Sequence, residues 1–337
     1  MIQVALVGYG YWGPNLARCI AADGSARLAA ICERVPDRAA AAGAAHERVP
    51  ILRDIEAVLW DPSIDAVVLA TPTGTHGTLA RRALERGKHV LVEKPLAGCS
   101  AEAIAMADAS ARSGRVLMVD HTYLFSPAFE AIQRLIANRG LGPLRYYHSI
   151  RSNCFAPDCE TSVLWDLAVH DLSMLDALMA TSPENIRAAG MRSANGRPES
   201  HAQVTLAYPD RAFASVLVSW IAPAKVRSIL LGFDRHTIAW DDLVAGSRVE
   251  LFDRGLEAVA DPENRRRLDP IVQNIPVPPG EALANAIGHF LHCIAHGALP
   301  RSGAAAGVRA IRQLEAAERS LANGGEPARV EIVGVAA

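Results

Sequence analysis

The sequence predicts an α/β protein with a parallel sheet in its N-terminal part, followed by an α+β domain with a large, mostly antiparallel open sheet. Short apolar runs alternate with helical patterns up to about residue 121, which is typical of a parallel sheet covered by helices on both faces. Beyond residue 122, β-rich runs follow one another without intervening helices. A chain of 337 residues also exceeds the usual size of a single domain.

The N-terminal part reads as strand and helix units in regular succession. Each strand is a continuous apolar run, as expected when helices cover both faces of the sheet. We place strands at residues 2–7, 27–33, 66–71, 89–95 and 115–121, and helices at residues 13–22, 53–60, 76–87 and 100–113.

The C-terminal part starts with a helix near residues 127–138 and continues with the β-rich runs "GPLRYYHSIRSN", "HAQVTLAY", "RAFASVLVSWI" and "VRSILLGF". The proline-rich stretch at 269–281 is predicted to be a loop, and helices are predicted near 281–297 and 303–323. We therefore expect a domain at 1–121 and a second at 122–337.

Composition narrows the class of protein. Half of the residues are apolar, which excludes a disordered chain, and 34 basic and 36 acidic residues give a net charge of −2 without charged blocks. These numbers do not favour binding to nucleic acid or to an anionic membrane. No apolar run approaches the ~18 residues of a membrane span, and the first residues read as a strand rather than a signal peptide. Six cysteines without a CxxC motif, of which Cys154 and Cys159 form the one close pair, predict a reduced, cytoplasmic protein.

A glycine motif follows the first strand. Gly8, Gly10 and Gly13 form G-x-G-x-x-G at the start of a helix, where free backbone N–H groups can bind a pyrophosphate. Glu33 ends the next strand, where a carboxylate can accept a hydrogen bond from a ribose 2′-hydroxyl. This context predicts a Rossmann domain that binds NAD. Arg34, beside Glu33, leaves NADP as the less favoured alternative.

The run "SVLWDLAVHDLSML" at 162–175 sets Asp166 and His170 four positions apart in an otherwise apolar segment. In a helix both side chains project from the same face, and Ser173 extends that stripe. Two interpretations stay open at this point. The pair is either a hydrogen-bonded structural pair in a core, or a general base with the acid that orients it.

Five motifs together resemble one known family. They are "VGYGYWG" near the N-terminus, "ATPTGTH" at 70–76, "EKPLA" at 93–97, "VDHTYLFSPA" at 119–128 and "WDLAVHD" at 165–171. This chain resembles the glucose-fructose oxidoreductase, inositol dehydrogenase and rhizopine-catabolism (Gfo/Idh/MocA) family over nearly its whole length. The resemblance is greatest to members that oxidise C3 of a nucleotide-linked pyranose or reduce a keto sugar.

The resemblance implies roles for particular residues. Glu93, Lys94 and Pro95 would lie beside the nicotinamide, with Lys94 holding the reacting substrate oxygen. His170 would be the acid/base and Asp166 its partner or a substrate ligand. Substrate contacts are also expected from Tyr123, Arg151 and Asn153. The predicted cofactor contacts are Gly8, Gly10, Tyr11, Trp12, Gly13, Glu33, Arg34, Thr71, Pro72, Thr73, His76, Glu93 and Lys94.

The residue types suit this chemistry. Alcohol oxidation removes a hydride from carbon and a proton from oxygen, so it needs a base near neutral pKa and a cation beside the developing alkoxide. Tyr123 is an alternative acid, and Arg151 and Asn153 are alternatively solvated strand ends. His289, His292 and His296 share a helix face, but no acidic residue accompanies them on that helix, and no metal is predicted.

Three functional hypotheses remain. The first is an NAD(P)-dependent oxidoreductase acting on a sugar, with a nucleotide sugar or sugar phosphate favoured, or on a cyclitol. The second is a non-catalytic sensor that binds a dinucleotide, which the joint presence of Lys94, Asp166 and His170 argues against. The third is an enzyme that uses transient oxidation to drive elimination or glycoside cleavage. A homodimer or homotetramer through the C-terminal sheet is expected.

Overall fold

A computed structural model describes residues 1–153, 161–192, 198–244, 246–260 and 269–331. Contacts between residues divide the chain into two compact units. The first contains residues 1–125 and 281–311, and the second contains the described residues of 126–280 and 312–331. Cys154 and Cys159 lie outside the described residues.

The first unit is built on a six-stranded parallel sheet. Its strand order is β3-β2-β1-β4-β5-β6, so β1 and β4 lie next to each other at the centre. The side chains of β4 are all buried, as expected for a strand covered on both faces. The strands are β1 (Ile2–Val7), β2 (Ala26–Cys32), β3 (Ile51–Leu52), β4 (Ala66–Leu69), β5 (His89–Glu93) and β6 (Leu117–Asp120).

The second unit is built on a nine-stranded sheet. Its order is β14-β13-β12-β11-β7-β10-β9-β8-β15, and the described neighbours pair antiparallel except β7 with β10, which are parallel. The strands are β7 (Tyr146–Ser152), β8 (Asn185–Arg192), β9 (Glu199–Ala207), β10 (Phe213–Ser219), β11 (Val226–Gly232), β12 (Thr237–Asp241), β13 (Arg248–Phe252), β14 (Val272–Ile275) and β15 (Ala328–Arg329).

Ten α-helices lie in the described part of the chain, together with 3₁₀ turns at Thr73–Thr75 and Thr122–Phe125 and a π-helical turn at Leu164–Ala168. The α-helices are α1 (Gly13–Ala22), α2 (Pro36–Ala45), α3 (Ile55–Leu59), α4 (His76–Glu85), α5 (Ser100–Ser113), α6 (Pro127–Arg139), α7 (Val169–Leu178), α8 (Glu257–Ala260), α9 (Ala282–His296) and α10 (Ala304–Ala322).

The predicted fold class is confirmed: a parallel sheet is followed by a mostly antiparallel one. One local prediction is wrong, because the stretch assigned to a loop at 269–281 contains β14, which pairs with β13. As a four-residue strand at the edge of the sheet, β14 tolerates the prolines on either side of it.

The compact units also differ from the predicted division into 1–121 and 122–337. The segment 281–311 belongs to the first unit, and contacts along its length join it to that unit. Arg18 forms a bidentate ion pair with Glu281, at 2.5 and 3.0 Å, and Asn285 donates to the carbonyl of Phe125 at 3.0 Å. Ser302 donates to the carbonyl of Val119 at 2.7 Å. The partners are far apart in sequence, so no local sequence pattern predicts that residues 281–311 pack in the first unit.

A buried polar network joins β7 to α7 in the second unit. The Nε of Arg151 donates to Asp171 at 2.8 Å, and the hydroxyl of Tyr147 donates to the other carboxylate oxygen at 2.8 Å. The Arg151 side chain is 2% exposed and that of Asp171 is fully buried. Removing one member of such a pair leaves an uncompensated charge in a medium that solvates it poorly.

We therefore expect Arg151→Met to lower the free energy of unfolding by about 3–5 kcal/mol, because Asp171 keeps its charge and loses its cation. Urea denaturation measures this. Arg187→Met, which removes an exposed arginine on β8, is the matched control and should change stability by less than about 0.5 kcal/mol. Equal effects of the two substitutions would show that the buried pair does not stabilise the fold.

Candidate functional site

The glycine-rich loop after β1 packs so tightly that two of its glycines cannot be replaced. Gly8 has φ of 95°, and a Cβ there would lie 2.4 Å from the carbonyl oxygen of Ala70. A Cβ on Gly13 would lie 2.7 Å from the carbonyl oxygen of Gly8. Gly10 is different, since its nearest neighbour is a terminal nitrogen of Arg38 at 3.7 Å. The backbone at Gly10 therefore leaves space for a ligand to approach.

The N-terminus of α1 is open to an anion. Trp12 is the N-cap residue, no side chain caps the helix, and Pro14 occupies its first turn. The first N–H groups of a helix have no partner inside the helix, and together with the helix dipole they favour a phosphate. The loop and this helix end thus fit a dinucleotide pyrophosphate.

A cavity of about 650 Å³ lies against this loop in the first unit. The predicted cofactor residues that line it are Gly8, Gly10, Tyr11, Glu33, Arg34, Thr71 and Pro72. Sequence reasoning missed Arg38, Arg53, Asp54 and Thr75, which also line it. Arg53 and Asp54 follow β3, and a strand of two residues is too short to show an apolar pattern in the sequence. The rule that ligands collect at the carboxyl ends of parallel strands would have pointed to them.

Glu33 occupies the wall of the cavity in a fixed orientation. One carboxylate oxygen accepts from the backbone N–H of Tyr9 at 2.7 Å, and the other accepts from that of Val35 at 2.8 Å. The residue is 6% exposed. Glu33 therefore braces the glycine-rich loop, a role that the sequence pattern did not predict. Each of its oxygens keeps further lone pairs for a ligand hydroxyl.

His76 lies inside the unit rather than on the cavity wall. It is 1% exposed, and its ring nitrogens lie 2.8 Å from the carbonyl oxygen of Thr71 and 3.0 Å from that of Pro95. Burial lowers the pKa of His76, so the ring is neutral at pH 7 and donates to one of the two carbonyls. Its position links the loop after β4 to the EKP segment, and this role differs from the predicted cofactor contact.

Lys94 directly follows β5, at the carboxyl edge of the parallel sheet where the glycine-rich loop also begins. The Glu93 carboxylate accepts from the backbone N–H of Lys94 at 3.2 Å. Trp12 precedes α1 and Thr73 starts a 3₁₀ turn, both in loops on this edge. The predicted cofactor residues therefore lie at one edge of the sheet, in loops or at the adjoining ends of β5 and α1, and His76 among them is buried.

In the second unit, the segment that carries Asp166 and His170 is not a continuous α-helix. Asp166 lies in the π-helical turn and His170 in the first turn of α7. From Ser162 to Leu175 every residue is buried except these two, which are partly exposed. Trp220 donates from its indole nitrogen to the Asp166 carboxylate at 3.0 Å. Asp166 and His170 are thus the accessible part of this segment, whereas Ser173, which was predicted to extend their stripe, is buried and donates to the carbonyl of His170 at 2.8 Å.

The three remaining substrate candidates have different surroundings. Arg151 is buried against Asp171, so the alternative of a solvated strand end is wrong. Asn153 follows β7, is partly exposed and accepts from Arg227 at 3.3 Å. Tyr123 lies half-buried in the 3₁₀ turn after β6.

The three histidines of α9 have contacts of their own. His289 accepts from the backbone N–H of Arg301 at 3.1 Å, and His292 stacks on His296 with ring centroids 4.3 Å apart. Within the described ranges, no group of three potential ligand residues is placed to hold a metal ion. None of the helices described is long and apolar enough to cross a membrane.

Comparison with known proteins agrees with this architecture. Residues 2–121 match the family model of the "Oxidoreductase family, NAD-binding Rossmann fold", and residues 129–238 match that of the "GFO/IDH/MocA C-terminal domain". UDP-N-acetylglucosamine 3-dehydrogenase of Acidithiobacillus ferrooxidans is 26% identical over 300 residues, which are 87% of this chain and 89% of that protein. The NADP(+)-dependent scyllo-inositol 2-dehydrogenase of Bacillus subtilis is 27% identical over 281 residues, 78% of this chain and 84% of that one.

The fold agrees as well. A solved structure of the Acidithiobacillus ferrooxidans enzyme superimposes with a TM-score of 0.82 at 24% identity, covering 95% of this chain and 97% of that one. The two family models together span the whole parallel sheet and much of the second sheet. The chain therefore belongs to the Gfo/Idh/MocA family of oxidoreductases.

Proposed function

We propose that this protein transfers a hydride between a nicotinamide cofactor and a secondary alcohol or ketone of a sugar or cyclitol. One observation carries the proposal: Asp166 and His170 are the two accessible residues of a segment that is otherwise buried. A structural core pair would be covered by its neighbours. A catalytic pair must be reached by substrate.

His170 is the acid/base in this proposal. Its imidazole takes the proton from the substrate hydroxyl during oxidation and returns it during reduction. Asp166, held by the indole of Trp220, orients the imidazole or binds a substrate hydroxyl. Lys94 stabilises the negative charge that develops on the reacting oxygen. A bound nicotinamide supplies the hydride acceptor or donor.

The proposed substrate class rests on the relatives. The Acidithiobacillus ferrooxidans protein is a UDP-N-acetylglucosamine 3-dehydrogenase, and the similarity extends over most of both chains. We therefore favour C3 of the pyranose of a nucleotide sugar or sugar phosphate, with cyclitols next. A panel of UDP- and dTDP-sugars, sugar phosphates and inositols, read by the absorbance of reduced nicotinamide, tests this. Cofactor reduction by none of them, together with no oxidation of NADH by the keto products, would contradict the proposal.

The preferred cofactor in this proposal is NAD. Glu33 presents a carboxylate of fixed orientation to the cavity, and a like charge there disfavours a 2′-phosphate. Arg34, Arg38 and Arg53 line the same cavity and attract phosphate. The protein in this proposal therefore binds both cofactors, and it binds NADP more weakly than NAD.

We further propose that two or four copies associate through the nine-stranded sheet. Phe213 on β10 and Met191 on β8 are large apolar side chains of this sheet that are about half exposed, at 48% and 53%. Symmetric association of copies would cover them. A molar mass of one chain by light scattering at micromolar concentration would contradict this.

Calorimetry should show NAD⁺ binding about tenfold tighter than NADP⁺, a difference of about 1.4 kcal/mol. Glu33→Gln should reduce that ratio, because it removes the charge facing the 2′-position. The informative quantity is the ratio of the NAD⁺ and NADP⁺ affinities. Loss of the hydrogen bonds between Glu33 and the glycine-rich loop lowers the affinity for both cofactors and so does not by itself change this ratio.

Asp54→Asn is the matched control for this comparison. Asp54 lines the same cavity and caps α3, and asparagine caps a helix as well as aspartate does. The control should therefore leave the ratio closer to that of the wild type than Glu33→Gln does. Equal or reversed affinity of the unmodified protein for the two cofactors would rule out the assignment to Glu33.

His170→Ala should lower kcat by ~10²- to 10⁴-fold while NAD⁺ binding and the melting temperature change little. Asp166→Asn should lower kcat less, and Lys94→Ala should also lower kcat, since charge on the oxygen develops mainly in the transition state. Asp176→Asn, a partly exposed carboxylate further along α7, is the control.

The structural alternative predicts the reverse pattern. If Asp166 and His170 form a core pair, either substitution leaves an unpaired group that costs ~1–3 kcal/mol, so the melting temperature falls while turnover per folded molecule persists. Near-normal kcat in a destabilised His170→Ala protein would exclude the catalytic role.

A further inference from the structure

Two carboxylic acids lie side by side at the carboxyl edge of the parallel sheet. Glu93 ends β5 and Asp120 ends β6, and the two residues are direct partners in the pairing of these strands. Because they are in register on neighbouring strands, their side chains leave the same face of the sheet, and each carboxyl group acts on the pKa of the other. The Oε1 atom of Glu93 and the Oδ2 atom of Asp120 are shielded from solvent, and neither accepts from any donor in the described part of the chain.

A contact between two carboxyl groups is attractive only when one of them carries a proton. Two ionised carboxylates repel each other, and burial increases that repulsion because the surroundings solvate charge poorly. Burial, together with the neighbouring carboxylate, raises the pKa of Glu93 well above its usual range. Burial also raises the pKa of Asp120, against the hydrogen bond that Thr122 donates to its Oδ1 atom at 3.0 Å.

The ionisable neighbours determine how many protons the pair holds. Lys94 supplies a positive charge that acts on both acids. His121 is 1% exposed, and burial and the charge of Lys94 lower its pKa to about 4, so its ring is neutral. Cys19 on α1 is also neutral, since burial raises the pKa of its thiol to about 11. Attraction to Lys94 favours one ionised acid, while repulsion between two carboxylates favours a proton on the other.

We propose that Glu93 and Asp120 share a single proton, so that the pair presents one negative charge to Lys94. Two ionised carboxylates would leave an excess negative charge in the buried edge of the sheet. Two protonated acids would offer no negative charge to Lys94. The shared proton removes the repulsion between two carboxylates and leaves the pair with one negative charge.

This inference rests on the proposed function only in the role given to Lys94, and its test needs no substrate. Infrared spectra of the full-length protein in D₂O at neutral pD should show the C=O stretch of a protonated carboxyl group. Glu93→Gln and Asp120→Asn should each abolish that band, because the single remaining acid ionises opposite Lys94. Asp65→Asn, which alters an exposed carboxylate, should leave it unchanged.

Thermal unfolding provides a second measurement. A pKa raised in the folded state means that folding retains a proton that the unfolded chain releases, so stability falls as pH rises from the unfolded pKa through the folded one. The melting temperature of the wild type should therefore fall more steeply with pH above about pH 5 than that of Asp120→Asn, which keeps the hydrogen bond from Thr122.

The outcomes separate this inference from the proposed function. A wild-type spectrum without the band, a band that survives both substitutions, or equal pH slopes for wild type and Asp120→Asn would overturn the shared proton. Failure of every compound in the substrate panel would instead contradict the proposed function and leave the shared proton intact.

Discussion

Buried charge must be compensated inside each unit, and this requirement holds in place the segments that carry the candidate catalytic residues. In the second unit, Asp171 is fully buried and binds both Arg151 and Tyr147 of β7. It directly follows His170. Rotating α7 enough to turn His170 away would leave Asp171 charged and unpaired, at a cost of several kcal/mol. A structural ion pair thus sets the direction of the neighbouring imidazole.

In the first unit, buried polar side chains are paired with backbone groups instead. The Glu33 carboxylate is satisfied by the N–H groups of Tyr9 and Val35, and His76 lies between the carbonyl oxygens of Thr71 and Pro95. Both contacts link loops that leave different strands of the sheet. They hold the loops in position before any ligand arrives, which lowers the ordering entropy that binding would otherwise cost.

Local patterns predicted the features that short stretches determine and missed those that distant partners determine. The period of apolar residues and the glycines at 8 and 13 were sufficient for the parallel sheet and its phosphate loop. The return of 281–311 to the first unit and the burial of Arg151 depend on partners far away in the chain. An arginine in an alternating strand can face either side of a sheet, so its spacing alone did not reveal Asp171.

The π-helical turn explains how a polar pair can be reached within an apolar segment. In a continuous α-helix, the apolar residues around Asp166 and His170 would cover most of the circumference. A π-helical turn adds a residue to one turn and changes the face presented by the next turns of the helix, and such turns occur often at functional sites. Here it lies immediately before α7, and the two residues left accessible on either side of that junction are the carboxylate and the imidazole. Packing alone would favour apolar residues at both positions, and this departure from packing is the reason for proposing a chemical role for the pair.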